Sequence, residues 1–108
     1  MQGLMQARPL TLASVFSRAE RLFAHKRVVT AGEGAASYGE WAGNVRRLAR
    51  VLDDLQVPVG ARVGTFAANH RRHLEIYLAA PITKRVLHTL NIRLSVEHLE
   101  YIVRHAGD

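Results

Sequence analysis

The residues whose types and spacing could do chemistry in this 108-residue chain fall into a few local groups. Gly32-x-Gly34-x-x-Ser37 follows a short β-branched run, opens a helical one and has Asp53 and Asp54 downstream. That is the order of a dinucleotide fingerprint, in which backbone N–H groups at a helix start receive a pyrophosphate. The third glycine is missing, Ser37-x-x-Glu40 has capping-box spacing, and Ala35 to Tyr38 suits the return arm of a hairpin. A plain β-turn therefore accounts for both glycines. His70-x-x-His73 has spacing that would set two imidazoles on one helix face toward a metal, with Glu75 near. No Cys, Asp or Glu completes the set, so solvated histidines beside Arg71 and Arg72 are the simpler reading.

Nucleophiles fare no better. Ser14, Ser17, Ser37 and Ser95 sit where helices start or run, none in a G-x-S-x-G elbow, and capping suffices for them. Asp53 and Asp54 read as a solvated pair near Arg50 on a polar helix face. The clusters Arg46-Arg47-Arg50, Arg71-Arg72 and Lys84-Arg85 could meet phosphates, but no helix-turn-helix, zinc finger or RNP-type aromatic strand accompanies them. No catalytic, cofactor-binding or metal-ligating residue is assigned, and no specific nucleic-acid binding is expected.

The elements that would position such residues follow from periodicity. Leu12, Val15, Phe16, Ala19, Leu22 and Phe23 recur at helical spacing behind Thr11, a natural N-cap, with Pro9 setting an extended lead-in. Arg27 to Ala31 reads as a strand entering a turn at Gly32-Glu33-Gly34, with Ala35 to Tyr38 returning. Trp41, Val45, Leu48, Ala49, Leu52 and Leu55 stripe a second helix over about residues 38–56. Arg62 to Ala67 has strand character; Asn69 can cap a helix whose inward residues would be Leu74, Tyr77, Leu78 and Ala80 or Pro81, with a kink or early end at Pro81. Arg85 to His88 is a further strand, and Ser95 caps a last helix through Leu99, Ile102, Val103 and Ala106. Strand, helix and strand in that order predict a crossover with a parallel pair, hence an α/β fold of helices with short, mostly parallel strands.

Composition sets the outer bounds. With 48% hydrophobic and 22% charged residues the chain suits a packed fold. The absence of cysteine excludes disulfides, thiolate catalysis and cysteine-bound zinc. Met1 to Pro9 has no apolar run of signal-peptide length and no stretch approaches a membrane span, so a cytoplasmic location without a transmembrane segment is expected. The net charge of +6, built almost wholly from arginine, decides little about partners.

Several strings converge on one family. Ser37-Tyr38-Gly39-Glu40-Trp41 resembles a "TYxEL" lead into a long helix, and Leu52-x-x-Leu55-x-Val57-x-x-Gly60-x-Arg62-Val63 resembles "LxxLGVxxGDRV". Asn69 and Arg72-His73-Leu74-Glu75-x-Tyr77-x-Ala79-x-Pro81 follow, then Arg85-Val86-Leu87-His88-Thr89-Leu90-Asn91-Ile92-Arg93-Leu94 and Glu97-x-Leu99-x-Tyr101-Ile102-x-x-His105-Ala106. From about Leu10 to Asp108 the chain resembles the start of the AMP-forming acyl-CoA ligases of the adenylate-forming superfamily, in particular the medium- and long-chain fatty acid members.

The resemblance implies that residues 1–108 are part of the large N-terminal domain of such an enzyme, supplying scaffold. It implies a two-step reaction in which ATP and a fatty acid give an acyl-adenylate and pyrophosphate, after which the thiol of coenzyme A displaces AMP. The family's phosphate loop, ribose-binding acid and mobile lysine have no counterpart in these strings, so the chain is expected to bind none of ATP, Mg²⁺ or coenzyme A and to be inactive by itself. A homodimer or a full-length ligase is the expected partner. Two positions depart from the pattern: Ala61 stands where the family usually has Asp, and Lys84 where a glycine commonly precedes the strand at Val86. If that position is left-handed, Lys84 costs about 1 kcal/mol there.

Overall fold

The structure is a computed structural model and describes Gly3, Ala7 and residues 9–108; the remaining residues read within the Met1 to Pro9 leader lie outside the described set. The element order is α1 (Leu12–Phe23), β1 (Arg27–Thr30), β2 (Gly34–Ser37), α2 (Tyr38–Asp54), β3 (Arg62–Thr65), α3 (Arg71–Ile82), β4 (Val86–Thr89) and α4 (Val96–Ala106). Helices alternate with two separate strand pairs, β1 with β2 antiparallel and β3 with β4 parallel.

Local chemistry starts these helices as expected. Thr11 Oγ1 accepts from the Ser14 N–H, and Ser95 caps α4 through the His98 N–H. Ser37 and Glu40 complete a reciprocal capping box at α2: the Glu40 N–H donates to Ser37 Oγ and the Ser37 N–H to Glu40 Oε2. Gly32 and Gly34 take left-handed φ values of 80° and 88°, the turn geometry that joins β1 to β2.

The core lies where α1, α2 and α3 meet. Phe16 packs edge-on against Trp41 with ring centroids 5.5 Å apart, and Ala42, Val45, Ala49 and Ala79 close the space beside them. Val45 is fully enclosed at 0% exposure, and so are the alanines Ala42, Ala79 and Ala80. The α2 stripe therefore buries as its periodicity predicts, except that Leu55 ends 68% exposed past the helix end.

Helix α3 corrects the sequence reading in two ways. Its N-cap is His70, whose Nδ1 accepts from the His73 N–H at 3.1 Å, so Asn69 does not cap it. Its buried face is His73, Glu75, Ala79 and Ala80, whereas Leu74 and Tyr77, expected inward, stand 40% and 42% exposed. The helix runs one residue past Pro81 and stops at Ile82 with Thr83 as C-cap, whose hydroxyl donates to the Ala79 carbonyl at 2.8 Å.

In the parallel pair, Arg62, Val63, Gly64 and Thr65 stand opposite Val86, Leu87, His88 and Thr89. Thr65 reaches α3, while Arg62 and His88 reach the end of α4, so the two faces of the pair meet different helices. Lys84, at the position where the family pattern has glycine, is left-handed with φ 61°, and Gln56 is likewise at φ 56°. No helix among the described residues is long and apolar enough to cross a membrane.

Candidate functional site

Strands β3 and β4 both end at threonines, Thr65 and Thr89, and the segments that follow them form the walls of two neighbouring clefts. In open α/β sheets ligands enter beyond the carboxyl ends of the strands, which makes this edge the candidate site. One cleft, of about 370 Å³, lies between β1 and the start of α3 and is lined by Val28, Thr30, His70 and Leu74 among others. The second, of about 520 Å³, is lined by Ala68, Thr89, Asn91 and Arg93 among others. Asn69, His73 and Tyr77 belong to both.

His73 is the pivot between the two clefts. It is 6% exposed, its Nε2 lies 3.1 Å from Thr65 Oγ1, and its ring meets Tyr77 edge-on at 5.0 Å. Nδ1 is buried without a hydrogen-bond partner. A proton there would be an unpaired buried donor, so the ring proton belongs on Nε2, donated to Thr65 Oγ1. The hairpin is tied to the same place, because the Arg71 N–H donates to Thr30 Oγ1 at 3.2 Å.

The groups singled out in the sequence resolve into structural roles. His70 and His73 do approach, with ring centroids 6.4 Å apart, but one caps the helix and the other faces Thr65. Glu75 is held by α2, accepting from Asn44 Nδ2 at 2.7 Å, with Arg71 Nε at 3.6 Å. Among the described residues no group of three or more His, Asp or Glu could hold a metal ion. Gly32 and Gly34 belong to the hairpin turn and Ser37 to the capping box, so no phosphate-binding turn forms there.

Four residues of the basic clusters, Arg46, Arg50, Arg71 and Arg85, pair with carboxylates within the chain. Arg46 makes a forked pair with Glu20, its Nη2 2.7 Å from Oε2, and its guanidinium also lies over the Phe16 ring at 5.2 Å. The Arg46 hydrogen bond holds the Glu20 carboxyl below the usual carboxylate range. Arg50 pairs with Asp54 at 2.9 Å, which raises its own affinity for a proton, and Arg47 donates to Asn44. Arg85 is buried against Asp53 at 2.8 Å. Asp53 and Asp54 thus serve different arginines rather than forming one solvated pair.

Composition and local motif spacing missed the cleft residues. Asn69, Tyr77, Asn91 and Arg93 appear in the strings that carry the resemblance, yet nothing local marks them as neighbours. The available signal was positional: Ala67 to Asn69 and Leu90 to Arg93 directly follow the two parallel strands.

Known proteins resemble this chain in sequence and in fold. The sequence profile of the AMP-binding enzymes matches residues 16–108. A 3-methylmercaptopropionyl-CoA ligase of Ruegeria lacuscaerulensis is 39% identical over all of this chain, which covers 21% of that protein. A long-chain-fatty-acid–CoA ligase of Thermus thermophilus is 44% identical over 96% of the chain and 20% of its own length. A fatty acyl CoA synthetase of Mycobacterium tuberculosis superposes on 91% of the chain, 20% of its own, with a TM-score of 0.85 at 18% identity. A benzoate CoA ligase of Burkholderia xenovorans LB400 does so over 92% of this chain and 20% of its own, at 0.83 and 22%. The fold is shared, and the chain spans about a fifth of the length of the relatives it matches.

Proposed function

The chain belongs to the AMP-binding enzyme family, and from that premise we propose that it serves as scaffold in a medium- or long-chain fatty acid–CoA ligase and does not catalyse the reaction by itself. The observation that carries this reading is the 44% identity to a long-chain-fatty-acid–CoA ligase over nearly the whole chain. The chemistry would be acyl activation: a carboxylate oxygen attacks the α-phosphorus of ATP and expels pyrophosphate, and the coenzyme A thiolate then attacks the acyl carbon and releases AMP.

The residues present do not fit ATP or Mg²⁺. The 108 residues contain no glycine- and serine/threonine-rich phosphate loop, and four arginines of the clusters named above spend their charge on Glu20, Asp53, Asp54 and Glu75. What the chain supplies instead is a rigid edge: α3 holds His73 and Tyr77 between two clefts, and the turns after β3 and β4 form walls on which the rest of a ligase can build.

Two measurements test this. The purified chain, given ATP, Mg²⁺, a long-chain fatty acid and coenzyme A, should release no AMP; acyl-CoA formation by the chain alone would sink the inactive reading. Residues 16–108 grafted in place of the matching segment of the Thermus thermophilus ligase should leave a soluble enzyme that still forms long-chain acyl-CoA. A folded chimera without that activity overturns the scaffold reading.

A second reading, a non-catalytic interaction module that pairs with itself or a full-length ligase, is favoured by one observation. Phe66, Val86 and Tyr101 stand 58%, 51% and 67% exposed around β3, β4 and α4. Sedimentation at micromolar concentration should show a dimer, and a strictly monomeric chain removes this reading.

A further inference from the structure

The stretch from His88 to Asp108 leaves the parallel pair, forms a cleft wall, runs through α4 and comes back to where it started. Residues 90–93 line the second cleft and carry their own turn, with the Arg93 N–H donating to Asn91 Oδ1 at 3.0 Å and the Leu94 N–H to the Asn91 carbonyl at 3.2 Å. Helix α4 follows without burying a single residue. At its end Gly107 turns left-handed at φ 68°, with its N–H on the Val103 carbonyl, and this reversal sends Asp108 back over β3.

The return is sealed by three features. Both carboxylate oxygens of Asp108 lie on His88 Nδ1, at 2.7 and 2.9 Å, and the Asp108 side chain is only 7% exposed. The carboxylate lies above Gly64, the residue opposite His88 in the strand register; a Cβ there would stand 3.2 Å from Asp108 Oδ2. Arg62 Nη1 donates to the Ala106 carbonyl at 2.6 Å, two residues along the same face of β3.

We propose that His88, Asp108 and Gly64 form a latch that closes a 20-residue strap, and that this strap positions the Asn91–Arg93 wall of the cleft. An amphipathic helix that buries none of its residues has little packing to hold it, so its seat depends on the ties at its ends. One end is the last strand residue Thr89, fixed in the parallel ladder; the other is the Asp108 carboxylate. A side-chain bridge across a loop of this length restricts the wall and the helix together, because both lie between its two ends. His88 acts as a positioning residue: it touches the strap, and the strap forms the wall.

Hydrogen exchange on the full chain tests the latch. His88→Leu, which removes the donor, and Gly64→Ala, which crowds the carboxylate, should each speed exchange of the amides in residues 90–106 by about tenfold while α2 keeps its protection. His88→Asn, whose Nδ2–H can occupy the place of Nδ1–H, should restore most of that protection. The amide resonances of Asn91 and Arg93 should shift in Gly64→Ala, although that residue lies outside the second cleft. Unchanged exchange in residues 90–106, or acceleration that only follows α2, would overturn the proposal. Failure of the ligase reading would leave this outcome unaffected.

Discussion

Arg85 and Asp53 form an ion pair in which the two partners live in different surroundings. The guanidinium is enclosed, its side chain 5% exposed, whereas the carboxylate 2.8 Å away is 58% exposed. The same guanidinium also donates to the Val57 carbonyl at 2.9 Å and the Leu52 carbonyl at 3.4 Å. It therefore joins the end of α2 to the start of β4 across the turn that leads into β3.

Removing the buried partner should cost far more than removing the wet one. Arg85→Met leaves the Val57 carbonyl unsatisfied and is expected to destabilise the chain by about 3 kcal/mol. Asp53→Asn should cost about 1 kcal/mol, since the amide oxygen still accepts from a guanidinium that keeps its bonds to the Val57 and Leu52 carbonyls. Urea denaturation of the two variants checks the order, and equal losses would refute this asymmetry.

The left-handed residues offer a gain instead. Lys84→Gly and Gln56→Gly relieve a Cβ clash at φ 61° and 56° and should each raise stability by about 1 kcal/mol. A rise in Tm for both single variants, close to additive in the double, is the expected result. A lower Tm in either would mean that its side chain stabilises the fold by more than the backbone strain costs.

Thr65 and His73 should prove coupled. Thr65→Val leaves both ring nitrogens of His73 without partners in a buried place, at about 1–3 kcal/mol. Once His73 is replaced by leucine, the same valine substitution should cost markedly less. A double-mutant cycle reads this difference, and additive losses would show that the hydrogen bond contributes nothing.

Acid should loosen the Glu20–Arg46 pair between α1 and α2 and the capping box that starts α2. Arg46 lowers the Glu20 carboxyl, and the Ser37 N–H lowers that of Glu40, both from an ordinary value of 4.5. A depressed folded-state value means that the contribution is complete above 4.5 and lost as pH falls through the folded value. Glu20→Gln and Glu40→Gln should thus lower Tm at about pH 7, and the deficit should shrink as pH falls below 4.5 and the parent carboxyls take up protons. A deficit that persists unchanged in acid would contradict this account.

How much could be read without coordinates depended on where each element finds its partners. Helices α1 and α2 and the hairpin were legible because their determinants are local: Thr11 on Ser14, Ser37 on Glu40, and two glycines in the turn. The α/β class and the parallel pair followed from element order. Helix α3 was misread because half of its buried face is polar, with His73 answered by Thr65 and Glu75 by Asn44, so the apolar stripe of Leu74 and Tyr77 pointed the wrong way. The cap moved from Asn69 to His70 because an imidazole nitrogen can accept as a hydroxyl does. Lys84, which would be strained only in a left-handed conformation, does adopt one, while Gln56 was not singled out although the resembling string has glycine there. The clefts had no local signature because their walls lie on three segments with no shared pattern, and only the position of two of those segments after the parallel strands marks them.

Where α2 and α3 cross, the buried residues include Ala42, Ala49 and Ala79, so single methyl groups set how near the two backbones stand. Such a seam is a gauge of size rather than of hydrophobicity. Valine or leucine at these three positions should be rejected despite being more apolar, since each added carbon must push a whole helix aside. Serine, polar but nearly as small, should be the gentler guest. A substitution library sorted by folding would then rank this seam by volume, and the outward-facing Leu74 by almost nothing.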